Sequence, residues 1–278
     1  MDMKDALMQM IYEDIGFEDI TTNALVPPKL TLKARIISRQ NGVVAGMDIA
    51  KTIFNEFQIK ITKTKFDGNP IKANETVMEF EGNARSILTI ERTVLNLIMR
   101  MSGIATLTAQ LLKKVRQVNK DIIIAGTRKT TPGLQFYEKR AILAGGGDTH
   151  RYRLDDCVMI KDNHLMVVGD VSDAVKKARE YVSFTKKVEV EVENEMDALK
   201  AVKSGADIVM LDNMIPEEIK NVVSTLKNEN IRHNVLLEAS GGITPHTIMD
   251  YAQTGVDIIS LGFITHSAST LDMSLEII

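Results

Sequence analysis

Five basic side chains in this sequence fall within three short motifs. Arg128 and Lys129 stand in AGTRKTTPGL, His150 and Arg151 in GGGDTHR, and Lys161 in MIKDNH. Such a cluster suits a ligand with several carboxylates or phosphates, because an arginine fork binds carboxylate through paired hydrogen bonds and lysine acts as a point charge. A single Lys or Arg is more often a solvated surface cation. Lys161 is harder to read that way, since it sits in an apolar run. Two acids on successive apolar runs, Glu191 and Asp212, could hold a divalent ion together with substrate phosphates, or face positive charge as it develops. Two glycine loops complete the set. Ser240, Gly241 and Gly242 in SGGITPHT precede a helical pattern, with Thr244 as its N-cap and Pro245 in its first turn, and Gly262 precedes ITHSAST. Backbone amides in such loops bind phosphate, and as single features they serve equally well as tight turns.

Other reactive residue types form no comparable pattern. The five histidines, at 150, 164, 233, 246 and 266, have no zinc-ligand spacing. The single cysteine, Cys157, lies within a strand-like run and reads as core. The fifteen methionines read as core filler.

The elements that must position these groups follow from periodicity. From about residue 121 onward, short apolar runs of strand length (DIIIAGT, DCVMIKD, KVEVEVE, ADIVMLDN, NVLLEASGG, VDIISLGF) alternate with segments whose apolar residues recur at three and four. This alternation predicts a parallel sheet with helical crossovers, closed into a barrel or open. Polar residues gather at the carboxyl ends of nearly every run, Glu238 and Ser240 among them, and a barrel would bring all of those ends to one rim. In KVEVEVE, Val188, Val190 and Val192 would meet the helices while Glu189, Glu191 and Glu193 face inward. A strand with one solvated face is the alternative for that segment taken alone.

Residues 1–120 read differently. A short amphipathic helix (about 3–14) leads through EDITTNALVPP to alternating, glycine-broken strands. A long helical pattern follows from about Ser86, with Ile87, Ile90, Val94, Leu97, Ile98 and Met101 on its apolar face. The chain is therefore expected to form two domains. Its 278 residues, 44% hydrophobic and 26% charged, exclude disordered, collagenous and coiled-coil classes. A balance of 34 basic against 37 acidic groups gives no global field for nucleic acid. No apolar run is read as a membrane span, and the acidic start, MDMKDALMQMIYEDIG, lacks the basic character of a secretory leader. With one cysteine and no internal disulfide, the expected setting is cytoplasmic.

Eight segments in this order and spacing, ERTVLNLIMRMSGIAT, GTRKTTPGL, AGGGDTHRYRL, MIKDNHL, VEVEVE, GADIVMLDN, EASGGI and TGVDIISLGFITHS, closely resemble the quinolinate phosphoribosyltransferase family. EDIGFEDITT and NGVVAG extend the resemblance over essentially the whole chain. It implies an N-terminal α/β sandwich domain (1–110, with 266–278 packing back) and an incomplete (β/α) barrel of parallel strands (111–265). It also implies a homodimer with shared active sites, sometimes assembled into hexamers. The implied reaction joins quinolinate to 5-phosphoribosyl-1-pyrophosphate with Mg2+, giving nicotinate mononucleotide, pyrophosphate and CO2. By motif, Arg128, His150 and Arg151 would bind the two carboxylates of quinolinate, helped by Arg92 from a second subunit, with Lys129 and Lys161 near the carboxylates and the pyrophosphate. Glu191 and Asp212 would meet the ribose hydroxyls and Mg2+, and the loops of Ser240, Gly241, Gly242 and Gly262 would take the 5′-phosphate. Gln135, where many members have arginine, and Glu18, where glycine is common, depart from the pattern.

Three other readings compete. A ModD-like relative with another acceptor would share the fold, but the full TRKT, HR and IKDNH set argues against it. A non-catalytic phosphoribosyl-pyrophosphate sensor would not need the dicarboxylate cluster. A barrel aldolase could use Lys161 as a Schiff base, which the surrounding cations and glycine loops disfavour.

Overall fold

The computed structural model describes residues 3–278. It resolves into two compact units: the chain up to Ala109 with Phe136–Gly146 and Ser267–Ile278, and Gln110–Gln135 with Gly147–His266.

The first unit is built on an antiparallel sheet. Strands β1 (Thr31–Ser38), β3 (Lys60–Thr64) and β5 (Thr76–Asn83) lie in the order β1-β5-β3, and β2 (Gly42–Val43) pairs with β4 (Pro70–Ile71). The free edge of β1 takes a strand from the far end of the chain, Met273–Ile277, antiparallel, with Ile36 opposite Leu275. The segment leading into that strand crosses the helix Ala84–Val115 at Gly103, where a Cβ would lie 2.0 Å from the Ser269 carbonyl oxygen, so only glycine fits. Ile87, Ile90, Val94, Leu97, Ile98 and Met101 of this helix are all buried, as the spacing predicts. By length and composition alone the helix could cross a membrane, contrary to the expectation that no run would qualify. However, 61% of its apolar window is buried inside the protein, and a core helix meets the same criterion. Asp19 explains EDITT: its carboxylate accepts the Thr22 amide at 2.9 Å as N-cap of Ile20–Leu25 and the Thr89 hydroxyl at 2.9 Å. The helix Gln135–Ala144 also clusters with this unit, although it lies between strands of the other in sequence.

The second unit carries six parallel strands: β6 (Ile123–Ala125), β7 (Val158–Ile160), β8 (Val188–Val192), β9 (Ile208–Asp212), β10 (Leu236–Ser240) and β11 (Ile258–Ser260). Their order is β6-β11-β10-β9-β8-β7. First and last strands are thus neighbours, as in a barrel, while β6 and β7 are not paired. A single parallel bridge between Ala125 and Asp148 partly fills that seam, so the barrel is incomplete. Valines 188, 190 and 192 of β8 are buried together with Glu189, and Glu191 is half-buried. Glu193 lies beyond the strand and is exposed, because the alternation ends where the backbone leaves the sheet. The helix after SGGITPHT begins at Ile248 rather than at Pro245. Thr244 still accepts the Thr247 amide at 3.3 Å, so the capping bond forms ahead of the regular helix, within a turn.

The opposite ends of two strands are held by a repeated device. In GADI, Asp207 pairs with Arg179 and accepts the Val188 amide at 2.7 Å. In GVDI, Asp257 pairs with Arg232 at 2.8 Å and accepts the Leu237 amide at 2.7 Å. Each arginine also donates to the carbonyl of the preceding glycine, Gly205 or Gly255. These residues precede β9 and β11, at the face of a barrel that serves stability. Asp257→Ala should therefore lower stability by about 1–3 kcal/mol, the cost of an unpartnered amide. Asp257→Asn, which keeps an acceptor, should cost less. Urea denaturation would read both, and ligand affinities should stay unchanged.

Candidate active site

The carboxyl ends of the six strands surround a cavity of about 370 Å3, lined by Gly126, Thr127, Arg128, Lys129, His150, Arg151, Met159, Lys161, Glu191, Met210, Asp212, Glu238, Ser240 and Ser260. The pleat selects these residues, since 159 and 161, 210 and 212, and 238 and 240 are alternate positions sharing one face. Eight of the residues read as site candidates converge here: Arg128, Lys129, His150, Arg151, Lys161, Glu191, Asp212 and Ser240. Gly241, Gly242 and Gly262 flank the rim without lining the cavity. Arg92 lies on the exposed face of Ala84–Val115 in the first unit.

The charges are segregated around the rim. Arg128 and Lys129 follow β6, His150 and Arg151 belong to the segment that fills the seam, and Lys161 follows β7. Glu191, Asp212 and Glu238 occupy β8, β9 and β10. The cavity therefore has a cationic side at the seam and a carboxylate side opposite. Lys161 and Glu191 form an ion pair where the two sides meet.

Each group is placed by local structure. Lys161 is the N-cap of Asp162–Val168, and its amide donates to His164 Nδ1 at 2.9 Å. Gly262 makes room for Lys129, since a Cβ there would sit 2.9 Å from that side chain's Cδ. The Lys129 carbonyl accepts the Thr265 hydroxyl at 2.6 Å. Gly241, at φ +85°, lies against Asn213, whose backbone nitrogen would be 2.8 Å from a Cβ at that position. Asn213, itself at φ +55°, donates its amide to the Ser240 carbonyl at 2.9 Å and its Nδ2 to Asp212 at 2.8 Å. Gln135 donates to the Tyr152 carbonyl, tying the TRKTTPGL loop to the seam segment. Glu18 is exposed and accepts from Asn23 at 3.1 Å.

Beneath the rim lies a group that motif reading left aside. His150 Nε2 is 3.2 Å from Glu238 Oε2 and 3.4 Å from Glu189 Oε2, and both glutamates are fully buried. Burial opposes charge on the imidazole, but hydrogen bonds to the two carboxylates and their charge outweigh it and raise the ring's affinity for a hydrogen on the nitrogen that faces them. Burial also raises Glu189. The three groups lie close enough to titrate as a unit. The Arg151 amide donates into Nδ1 at 2.8 Å, and Nε2 is the ring nitrogen that faces the carboxylates. Glu238 was legible only as a strand-end acid; its link to His150 joins residues 88 positions apart. Ser260 and Met159, two residues before Gly262 and Lys161, follow from strand alternation. Burial pushes the Cys157 thiol up, the wrong direction for a nucleophile.

Parallel strands that deliver cations and carboxylates to opposite walls of one rim, beside two glycine loops, define an α/β-barrel enzyme for small polyanions. The comparisons narrow the class. Residues 19–102 match the N-terminal domain of quinolinate phosphoribosyl transferase and residues 104–276 its C-terminal domain. A probable nicotinate-nucleotide pyrophosphorylase (carboxylating) of Methanothermobacter thermautotrophicus is 56% identical over 275 residues, 99% of each chain. The nicotinate-nucleotide pyrophosphorylase (carboxylating) of Homo sapiens is 38% identical over 254 residues, 91% of this chain and 85% of that one. The solved nicotinate-nucleotide pyrophosphorylase from Francisella tularensis superposes with a TM-score of 0.91 at 38% identity, covering 100% of this chain and 98% of that one. This chain belongs to the quinolinate phosphoribosyltransferase family.

The Lys161–Glu191 pair generates a prediction. Because Glu191 competes with any anion for Lys161, Glu191→Gln should tighten the binding of inorganic pyrophosphate about two- to fivefold in the absence of metal, the scale of a partly exposed ion pair. Lys161→Ala should weaken it. Titration calorimetry at low salt would read both signs.

Proposed function

We propose that the protein transfers the phosphoribosyl group of 5-phosphoribosyl-1-pyrophosphate to quinolinate with loss of CO2, giving nicotinate mononucleotide and pyrophosphate for NAD biosynthesis. It is read as a nicotinate-nucleotide diphosphorylase (carboxylating), a pentosyltransferase. The observation that carries this reading is the segregated cavity, with cations at the seam for carboxylates and diphosphate, and Glu191 on β8 and Asp212 on β9 for a ribose that becomes positive.

Departure of pyrophosphate leaves an oxocarbenium-like C1′, and fixed carboxylates lower its energy where the charge develops. Arg128 and Arg151 hold the two carboxylates of quinolinate so that its ring nitrogen faces C1′, with Lys129 and Lys161 near the carboxylates and the pyrophosphate. Once that nitrogen has bonded it is quaternary. The adjacent C–CO2 bond can then break with its electron pair held on carbon beside N+, and that carbon takes a proton from solvent water. No enzymic base is needed for this step; the main work is orientation of two polyanions.

The donor set on the acidic wall fits Mg2+. Glu191 and Asp212 are hard oxygen donors on neighbouring strands, and two carboxylates completed by substrate oxygens and water is a usual arrangement for that ion. When bound, Mg2+ would supply charge neutralisation for the departing diphosphate. We read the working form as a cytoplasmic homodimer, with hexamers as a further assembly, in which Arg92 of a second copy completes each site.

Two experiments test this. Incubation with quinolinate, phosphoribosyl pyrophosphate and Mg2+ should yield nicotinate mononucleotide and CO2, and chelation of the metal should suppress it. Equal turnover of nicotinate would overturn the reading of the second carboxylate's recognition. Separately, mixing inactive Arg92→Ala with inactive Lys161→Ala should restore roughly a quarter of wild-type activity, since random exchange gives half heterodimers, each with one intact site. No recovery after demonstrated subunit exchange would remove Arg92 from the site.

A further inference from the structure

His150 lines the cavity, yet its hydrogen-bonding atoms are engaged within the protein. Its amide donates to Asp148 Oδ1 at 2.6 Å, its Nδ1 accepts the Arg151 amide at 2.8 Å, and its Nε2 faces Glu238 and Glu189. The residue stands at φ +53°, a left-handed conformation that a side chain other than glycine adopts at a cost and keeps only when its surroundings over-determine it. Here they do so from both sides of the ring.

Three atoms of metal-ligand type, from His150, Glu189 and Glu238, lie within 4.8 Å of one another, but the ring's hydrogen decides against a metal. A neutral imidazole that binds a metal through Nε2 carries its hydrogen on Nδ1. Nδ1 here receives the Arg151 N–H, so the hydrogen is on Nε2 and points at the carboxylates. Stability does not account for the arrangement either. Both carboxylate oxygens of Glu189 and Oε1 of Glu238 are buried without a hydrogen-bond partner, and such groups weaken a core that aliphatic residues would strengthen.

We infer that Glu238 is a positioning residue for the anion site: by taking the Nε2 hydrogen it locks His150 in the cavity wall, and the locked ring fixes the 148–151 turn that presents Arg151. His150 then acts on a bound dicarboxylate through Arg151 and not through its own nitrogens. This inference deepens the quinolinate reading and rests on it.

Two measurements test it, and they fail separately from that reading. In 15N-histidine-labelled wild-type protein, with the His150 signals assigned by their loss in His150→Asn, NMR should find the hydrogen on Nε2 and a free lone pair on Nδ1, with and without quinolinate. A hydrogen on Nδ1, or an Nε2 that loses its hydrogen when quinolinate binds, overturns the inference, and this readout needs neither a variant's activity nor turnover. In steady-state kinetics, Glu238→Leu should raise KM for quinolinate about 10- to 100-fold, the scale of a misplaced binding group, and leave KM for phosphoribosyl pyrophosphate unchanged. Glu238→Gln keeps an acceptor for Nε2–H and should stay within about threefold of wild type for both substrates. An unchanged quinolinate KM in folded Glu238→Leu, or a Glu238→Gln as impaired as Glu238→Leu, would overturn the positioning role. Absence of quinolinate binding by wild-type protein in calorimetry would instead count against the function itself.

Discussion

The gap between β6 and β7 determines where every charge in this site can lie. The segment after Gly146 bridges that seam once, between Ala125 and Asp148, and the stretch after β6 leads away from it. These two stretches carry Arg128 and Lys129, and His150 and Arg151, and Lys161 follows β7. The closed arc of β8, β9 and β10 supplies the carboxylates from pleated positions that cannot shift. Opposite charges that would collapse into pairs if interleaved are kept apart by the backbone. A chain of net charge −3 thereby holds a local field strong enough for polyanions, within walls that exclude part of the screening solvent.

The two ends of the strands divide the work. At the amino ends, Asp207 and Asp257 each accept a strand amide and pair with an arginine that also caps a glycine carbonyl, so their charges are used up internally. At the carboxyl ends, charged groups of both signs line the cavity, with Lys161 paired to Glu191 and His150 to Glu238. On the proposed function, the Lys161–Glu191 pair is a placeholder, exchanged for substrate contacts when a dicarboxylate takes the lysine and a ribose takes the glutamate. A half-exposed pair of this kind is weak enough to be displaced.

Much of this was legible in the sequence because it is local. Alternation in KVEVEVE gives the facing of Glu189 and Glu191, the spacing from Ile87 to Met101 gives the buried helix face, and the order of motifs gives the family. What escaped depends on distance or on where regular structure stops. Glu193 keeps the alternation in sequence, but the strand has already ended. Thr244 and Pro245 have the composition of a helix start, yet the helix begins at Ile248 because the turn uses the capping bond first. The apolar helix 84–115 has membrane-like composition, and only the sheet and the returning C-terminal segment, whose Leu271 amide bonds the Met99 carbonyl, reveal what covers it. The role of Glu238 required knowing that residue 150 comes to lie against residue 238.

That last contact bears on why an enzyme would keep two buried carboxylates under a pocket meant for anions. On simple charge grounds they should repel the ligand. The imidazole beside them changes the balance: its Nε2 faces the acids and offsets part of their charge, its Nδ1 ties up a backbone amide, and the cavity carries four cationic side chains, Arg128, Lys129, Arg151 and Lys161. What the acids contribute is direction. A reaction with no base to supply depends on holding a ring nitrogen in line with C1′, and an arginine whose backbone is pinned by its neighbour's ring holds that line better than one on a free loop.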